Sequence, residues 1–137
     1  MDVIFLIGRI LFVIVFLASA MGHLTQTEAM TGYAKSKGVP TAQAAVVGGG
    51  VVLVLGGMSV LLGLWGDLGA LLLVAFLLPT ALTMHAFWKE SEPASRMNEM
   101  IQFNKDIALA GAALVLFVAF SDDELGITVT DPLLGLG

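Results

Sequence analysis

The run Leu71-Leu72-Leu73-Val74-Ala75-Phe76-Leu77-Leu78 decides the fold, because it presents hydrocarbon on every side of whatever element it forms. A helix at a soluble surface buries one stripe and shows water a polar face. Ile10–Ala18 is apolar all round in the same way. Both runs sit inside longer stretches, Val3–Gly22, Thr41–Trp65, Leu68–Trp88 and Ile101–Phe120. Each stretch is long enough to cross the roughly 30 Å hydrocarbon core as a helix. A segment in lipid must satisfy its own backbone hydrogen bonds, so these segments are helices. The expected fold is an all-α membrane protein, a four-transmembrane-helix bundle with spans near 3–22, 41–65, 68–88 and 101–120. Residues 1–120 then form one domain, and 121–137 an acidic C-terminal tail.

Composition agrees. Hydrophobic residues make up 58% of the 137 residues and charged residues 12%, against a charged share of roughly 25% in soluble domains. The length leaves room for one bundle and no separate soluble domain. A net charge of −5 argues against nucleic acid, which asks for a basic patch. With no cysteine, thiol redox chemistry, iron–sulfur ligation, zinc–thiolate sites and disulfides are excluded, and two histidines are too few for a self-contained haem or copper site. No metal site is expected. Arg9, Ile10–Leu17 and Ala18-Ser19-Ala20 imitate a signal peptide, but the acidic Asp2 and apolar Val3–Gly8 contradict a short basic n-region, so the segment is read as a retained span.

Between the spans the chain turns polar. Leu24–Pro40 leaves the membrane, with Leu24, Met30 and Tyr33 able to hold it on the interface as a short helix, Gly38 as its C-cap and Pro40 as a restart. The Gly66-Asp67 turn joins spans two and three as a tight hairpin. Lys89–Met100 is the second polar connection, with Pro93 preventing a continuous helix. Ile127–Thr130 has strand-like composition in an otherwise uninformative tail. Lys35, Lys37, Lys89, Arg96 and Lys105 all fall on the side of the two long connections. The positive-inside rule therefore places loops 24–40 and 89–100 in the cytoplasm and both termini outside a cell membrane, with Arg9 dissenting.

Small residues mark close packing. Gly49, Gly56 and Gly63 recur every seven residues, extended by Ser59 and Gly66, which lets a neighbouring helix approach span two. The alternative is a glycine-lined ligand cavity. Pro79 frees the carbonyl of Ala75 and suggests a kink in span three.

Intramembrane polar residues are costly, and each one asks for an account. Arg9 lies roughly 9 Å into its span at 1.5 Å per residue. It either snorkels or pairs with Asp67, Asp122, Asp123 or Glu124 as a structural charge, or binds an anion or quinone oxygen. At the opposite face His23 closes span one, Thr80, Thr83 and His85 end span three, and Gln102, Lys105 and Asp106 open span four. His23, His85, Lys105 and Asp106 are the candidate ligand-binding residues, with a His–Asp contact orienting one imidazole and Lys105 supplying charge to an oxygen. The competing reading makes them interfacial anchors, with Trp88 among them.

An ordered set of motifs resembles the DoxX family of small four-span bacterial membrane proteins. The set comprises Gly8-Arg9, Gly22-His23-Leu24, Tyr33–Pro40, Gly56-Gly57 followed by Leu62-Gly63-Leu64, His85-Ala86-Phe87-Trp88 and Phe103–Gly111. The chain departs from that pattern twice. Leu53 stands where relatives often carry a glutamate, and Asp106 where asparagine is frequent. The loss at Leu53 weakens any proton relay borrowed from relatives, while Asp106 restores a carboxylate at the boundary.

The resemblance implies similarity to the small subunit of an archaeal thiosulfate–quinone oxidoreductase, and links to membrane redox or thiol-stress complexes. The leading expectation is a non-catalytic subunit or scaffold of a membrane redox complex, in contact with quinone and with a membrane or peripheral redox protein. The alternative is a small-molecule or lipid carrier. A third reading is an enzyme using His23 or His85 as a proton donor. The sequence itself contains no cofactor motif, and it leaves homo-oligomerisation open.

Overall fold

The computed structural model describes residues 1–122 and 126–135. Its helices are α1 (Asp2–Thr25), α2 (Thr27–Ser36), α3 (Ala42–Leu62), α4 (Gly66–Met84) and α5 (Pro93–Ser121), with a short 3-10 turn at Phe87–Lys89 between α4 and α5. Four of them, α1, α3, α4 together with the turn, and α5, are long and apolar enough to cross a membrane. The chain is an all-helical four-span bundle with no strand among the described residues, and its outer faces contact the lipid bilayer. The strand-like Ile127–Thr130 stretch is irregular.

Packing follows chain order: α1 lies on α3, α3 on α4, and α4 on α5, with α2 against α3. The ends of this row, α1 and α5, meet through large side chains such as Phe5 and Phe120, whose rings sit edge to face at 5.5 Å. Val13, Phe16, Leu53, Val60, Leu73, Leu77, Ala113 and Phe120 belong to the main core. Lipid tails are as apolar as these side chains, so close van der Waals fit holds the spans together rather than escape from water. The small residues serve that fit. A Cβ at Gly56 would meet Leu73 and the Gly69 carbonyl, and one at Gly49 would meet Phe76 and His23.

Several boundaries differ from the sequence expectation, each for a local reason. Within the third span the α-helix ends at Met84, and Phe87–Lys89 continues the span as a separate 3-10 turn. The second span stops at Leu62 because Gly63 takes a left-handed conformation (φ 65°), and the Leu64 N–H bonds the Ser59 carbonyl. The hairpin turn is therefore Gly63-Leu64-Trp65, while Gly66 and Asp67 already belong to α4. Ser59 Oγ completes the turn by donating to the Leu64 and Trp65 carbonyls at 2.7 and 2.9 Å.

The largest difference is at α5, which starts at Pro93 instead of near Ile101. Glu92 accepts hydrogen bonds from the Ala94 and Ser95 N–H groups, and Pro93 takes the first helical position, where its missing donor is no loss. The second connection is thus mostly helix. At 29 residues α5 is about 43 Å long, longer than the hydrocarbon core, so its first turns reach the headgroup level. α4 continues through Pro79 as a single helix. α2 closes as the sequence suggests: the Gly38 N–H bonds the Lys35 carbonyl and the Val39 N–H bonds the Ala34 carbonyl, a Schellman pair.

Candidate functional site

The α4–α5 connection and the first turns of α5 carry a buried ionisable group that α2 reaches from above. Its centre is Glu99, on α5 and only 6% exposed. Glu99 Oε1 accepts from Tyr33 Oη at 2.7 Å and from Lys37 Nζ at 2.9 Å, while Oε2 faces His85 Nδ1 at 2.7 Å. Lys37 also donates to Glu90 at 2.7 Å. Three segments are tied by one carboxylate, which makes it the keystone of this end.

His85 then links Glu99 to a second acid. An ionised carboxylate only accepts, so the imidazole donates its Nδ1–H to Glu99, and the neutral ring keeps its lone pair at Nε2. That Nε2 faces Asp106 Oδ2 at 3.7 Å, beyond direct hydrogen bonding. Asp106 is 3% exposed, and its Oδ2 is buried without a hydrogen-bond partner among the described residues. Its other oxygen lies 3.4 Å from Lys105 Nζ, which also donates to Gln102 at 2.6 Å. Beside this pair, Phe87, Trp88 and Phe103 pack edge to face at 5.2 to 5.7 Å.

Among the groups on α2 and its connection, burial, the Glu99 hydrogen bond and its charge push the Tyr33 phenol above its usual range. Burial opposes the Lys37 ammonium, yet its hydrogen bonds to Glu90 and Glu99 outweigh that and raise it. Both groups keep their protons at neutral pH, so they donate to Glu99 as long as the end is folded.

Of the four expected ligand residues, His85, Lys105 and Asp106 come together. His23 is placed against α3, with Nδ1 at 2.8 Å from the Val46 carbonyl and its ring 5.7 Å from Phe76. No described hydrogen bond joins it to the His85 group. Glu99, Tyr33, Lys37 and Glu90 were not among the expected site residues. A signal for Glu99 existed: it precedes Asp106 by seven residues, so both share a face once Pro93 is read as a helix start.

Arg9 sits at the other end of the bundle, 1% exposed. It donates to the Leu61 carbonyl at 2.6 Å and the Ile127 carbonyl at 2.7 Å, between the rings of Phe5 and Phe120. Of its expected acidic partners, Asp123 and Glu124 lie outside the described residues, and Asp67 accepts the Leu134 N–H at 2.6 Å. The described tail folds back over this end: the Val129 and Thr130 N–H groups bond the Gly63 carbonyl, and Thr130 Oγ1 accepts from the Trp65 N–H. Leu53, at the position where relatives often carry an acid, is fully buried in the apolar core.

Four membrane-crossing helices with a capped end and a buried acid–imidazole pair define a small multi-span membrane protein with ionisable groups at one boundary. The DoxX family model matches residues 4–86, more than half of the chain. The chain belongs to the DoxX family. That match ends at the His85-Ala86 step, so the resemblance noted over Phe103–Gly111 lies beyond it. No curated protein and no solved structure matches the chain.

Proposed function

We propose that this chain is a non-catalytic subunit of a membrane redox complex in a cell membrane, holding a quinone head at the His85–Asp106 pair. The observation that carries the reading is the His85 imidazole held between Glu99 at 2.7 Å and Asp106 at 3.7 Å, with Asp106 Oδ2 unpartnered. These residues fit such a head in kind. The unpartnered buried Asp106 oxygen and the His85 Nε2 lone pair can accept from the hydroxyls of the reduced head, the Lys105 ammonium can donate to a carbonyl of the oxidised one, and the aromatic rings beside them offer a flat apolar wall.

Bound quinone supplies a two-electron, two-proton acceptor, with the electrons coming from a redox partner protein. The chain's part is to position the head: Glu99 fixes which ring nitrogen of His85 carries hydrogen, which leaves Nε2 as an acceptor beside Asp106, and Lys105 balances the Asp106 carboxylate.

Purification in mild detergent from quinone-replete membranes tests this. The expected result is a stoichiometric redox partner and about one quinone per chain, with the quinone reduced at least severalfold by His85→Asn or Asp106→Asn. A lone chain carrying no quinone would overturn it. We also infer the orientation from the basic residues: loops 24–40 and 89–100 cytoplasmic, both termini outside. Single cysteines at the exposed Ser36 and Asp131 report it. An impermeant thiol reagent labelling Ser36→Cys but not Asp131→Cys in intact cells would reverse the assignment.

A further inference from the structure

The described C-terminal segment, residues 126–135, is neither helix nor strand, yet its main chain pins it to the end of the bundle. The Ile127 carbonyl accepts from Arg9 at 2.7 Å. The Val129 and Thr130 N–H groups donate to the Gly63 carbonyl at 3.2 Å, and the Leu134 N–H donates to Asp67 at 2.6 Å. Gly63 permits this approach, since a Cβ there would meet Thr128 Cα at 2.8 Å. The large apolar side chains of the segment are left uncovered: Ile127, Val129, Leu133 and Leu134 are between 44% and 68% exposed. Polar groups are spent inward and apolar ones shown outward, the reverse of a tail lying in water.

The depth of the segment follows from the span beside it. Half-exposed tryptophans, Trp65 and Trp88, lie beyond the two ends of α4. Tryptophan collects at the two membrane–water boundaries. The 19 residues of α4 rise about 28 Å, close to the roughly 30 Å of hydrocarbon a span must cross. Trp65 therefore marks the boundary at the terminal end, and its N–H donates to Thr130 Oγ1 at 2.8 Å, which places the segment at that level.

Lipid reaches the same level along the side of the bundle. Gly126 lies against Phe5 in the first turns of α1, where Val3, Ile4 and Ile7 are exposed apolar residues. Irregular backbone does not enter hydrocarbon in contact with lipid, so the segment can sink no further than its side chains reach.

We propose that residues 126–135 form an interfacial anchor, lying along the bilayer surface with Ile127, Val129, Leu133 and Leu134 in the headgroup–acyl boundary and Asp131 in water. The partner is the bilayer that the spans already cross. The exposed side chains continue the lipid-facing start of α1 and sit at the depth that Trp65 marks. Apolar side chains on a surface element partition into that boundary, while four of them clustered in water form a patch that asks for cover. Bundle and bilayer thus grip the segment from opposite sides. The assignment uses none of the residues given to the quinone head, so it stands or falls separately from that reading.

Spin labelling of the full chain in dioleoylphosphatidylcholine vesicles tests it, because the cysteine-free sequence accepts a single nitroxide with no other change. Val129, Asp131 and Leu133 are all exposed, so a label at any of them leaves the core intact. Labels on Val129→Cys and Leu133→Cys are expected to collide severalfold more with oxygen, which concentrates in the bilayer, than with a water-soluble nickel chelate. A label on Asp131→Cys should show the opposite preference. Nickel collisions dominating at all three positions would leave the segment in water and overturn the proposal. Labels on Val129→Cys and Leu133→Cys shielded from both reagents would put another protein chain against the segment and overturn the lipid assignment.

Discussion

The two ends of this bundle solve the same problem with different chemistry. At the loop end, charges are satisfied by other side chains: Glu99 gathers Tyr33, Lys37 and His85, and His85 faces Asp106. At the terminal end, Arg9 and Asp67 are held by backbone groups of Leu61, Ile127 and Leu134. A backbone carbonyl does not titrate and does not leave, so that end is a fixed closure. A side-chain network can gain or lose protons and can exchange partners with a ligand. The proposed function accordingly puts chemistry at the loop end and assembly at the terminal end.

Glu99→Ala is the strongest blow to this contrast. It removes the one acceptor shared by three donors, leaving the half-buried Lys37 ammonium with Glu90 alone and the half-buried His85 imidazole without its Nδ1 acceptor. Removing one partner of a buried charge network costs about 3–5 kcal/mol. The thermal midpoint in detergent should fall steeply, and Trp88, next to the network, should report the loss before Trp65 at the far turn. Single-tryptophan variants, Trp65→Phe and Trp88→Phe, separate the two signals. A Glu99→Ala protein as stable as the parent would show that the network is dispensable.

Arg9→Leu is expected to act less strongly. It strands the Leu61 and Ile127 carbonyls, and a buried acceptor left unpaired costs about 1–3 kcal/mol. Ile127 is 56% exposed, so its carbonyl can turn to water, which limits the total to about 1–3 kcal/mol. The detergent melting point should drop with Trp65 leading. An Arg9→Leu protein of undiminished stability that no longer supports the partner complex would instead make Arg9 a binding residue and erase the contrast between the ends.

What the sequence disclosed follows the same divide. The spans were legible because apolar runs that need no partner identify themselves, and Gly38 announced the end of α2. The His85–Asp106 pair was accessible because both residues flank long apolar helices. Glu99 was hidden by Pro93, which reads as a helix breaker inside a polar stretch but as a helix start once Glu92 is seen to cap it. The tail was opaque for a different reason. Its contacts with Arg9, Gly63 and Asp67 are made through main-chain atoms, which carry no sequence signature. His23 looked like a fourth member of the site because it ends a span at the same boundary. Its partner, the Val46 carbonyl, is again a backbone group that composition cannot show.

Alkali gives the gentlest test, since it alters the loop end without any substitution. The Tyr33 phenol is raised above its ordinary value of 10.0, burial and Glu99 favouring its neutral form. Lys37 is raised above its ordinary 10.5, the hydrogen bonds from Glu90 and Glu99 overcoming burial. In both cases the folded state holds the proton more tightly than the unfolded chain does. The stabilisation is therefore complete below the unfolded values and is lost as pH rises past them through the folded ones. Raising the pH from 9 toward 12 should loosen α2 from α5, shifting Trp88 emission while Trp65 emission stays constant. At the other end the carbonyl partners of Arg9 have no proton to lose. Tyr33→Phe removes one of the two titrating groups and should narrow the transition without abolishing it. Simultaneous movement of both tryptophans would mean that the ends are coupled and unfold as one, and the division of labour between them would fall.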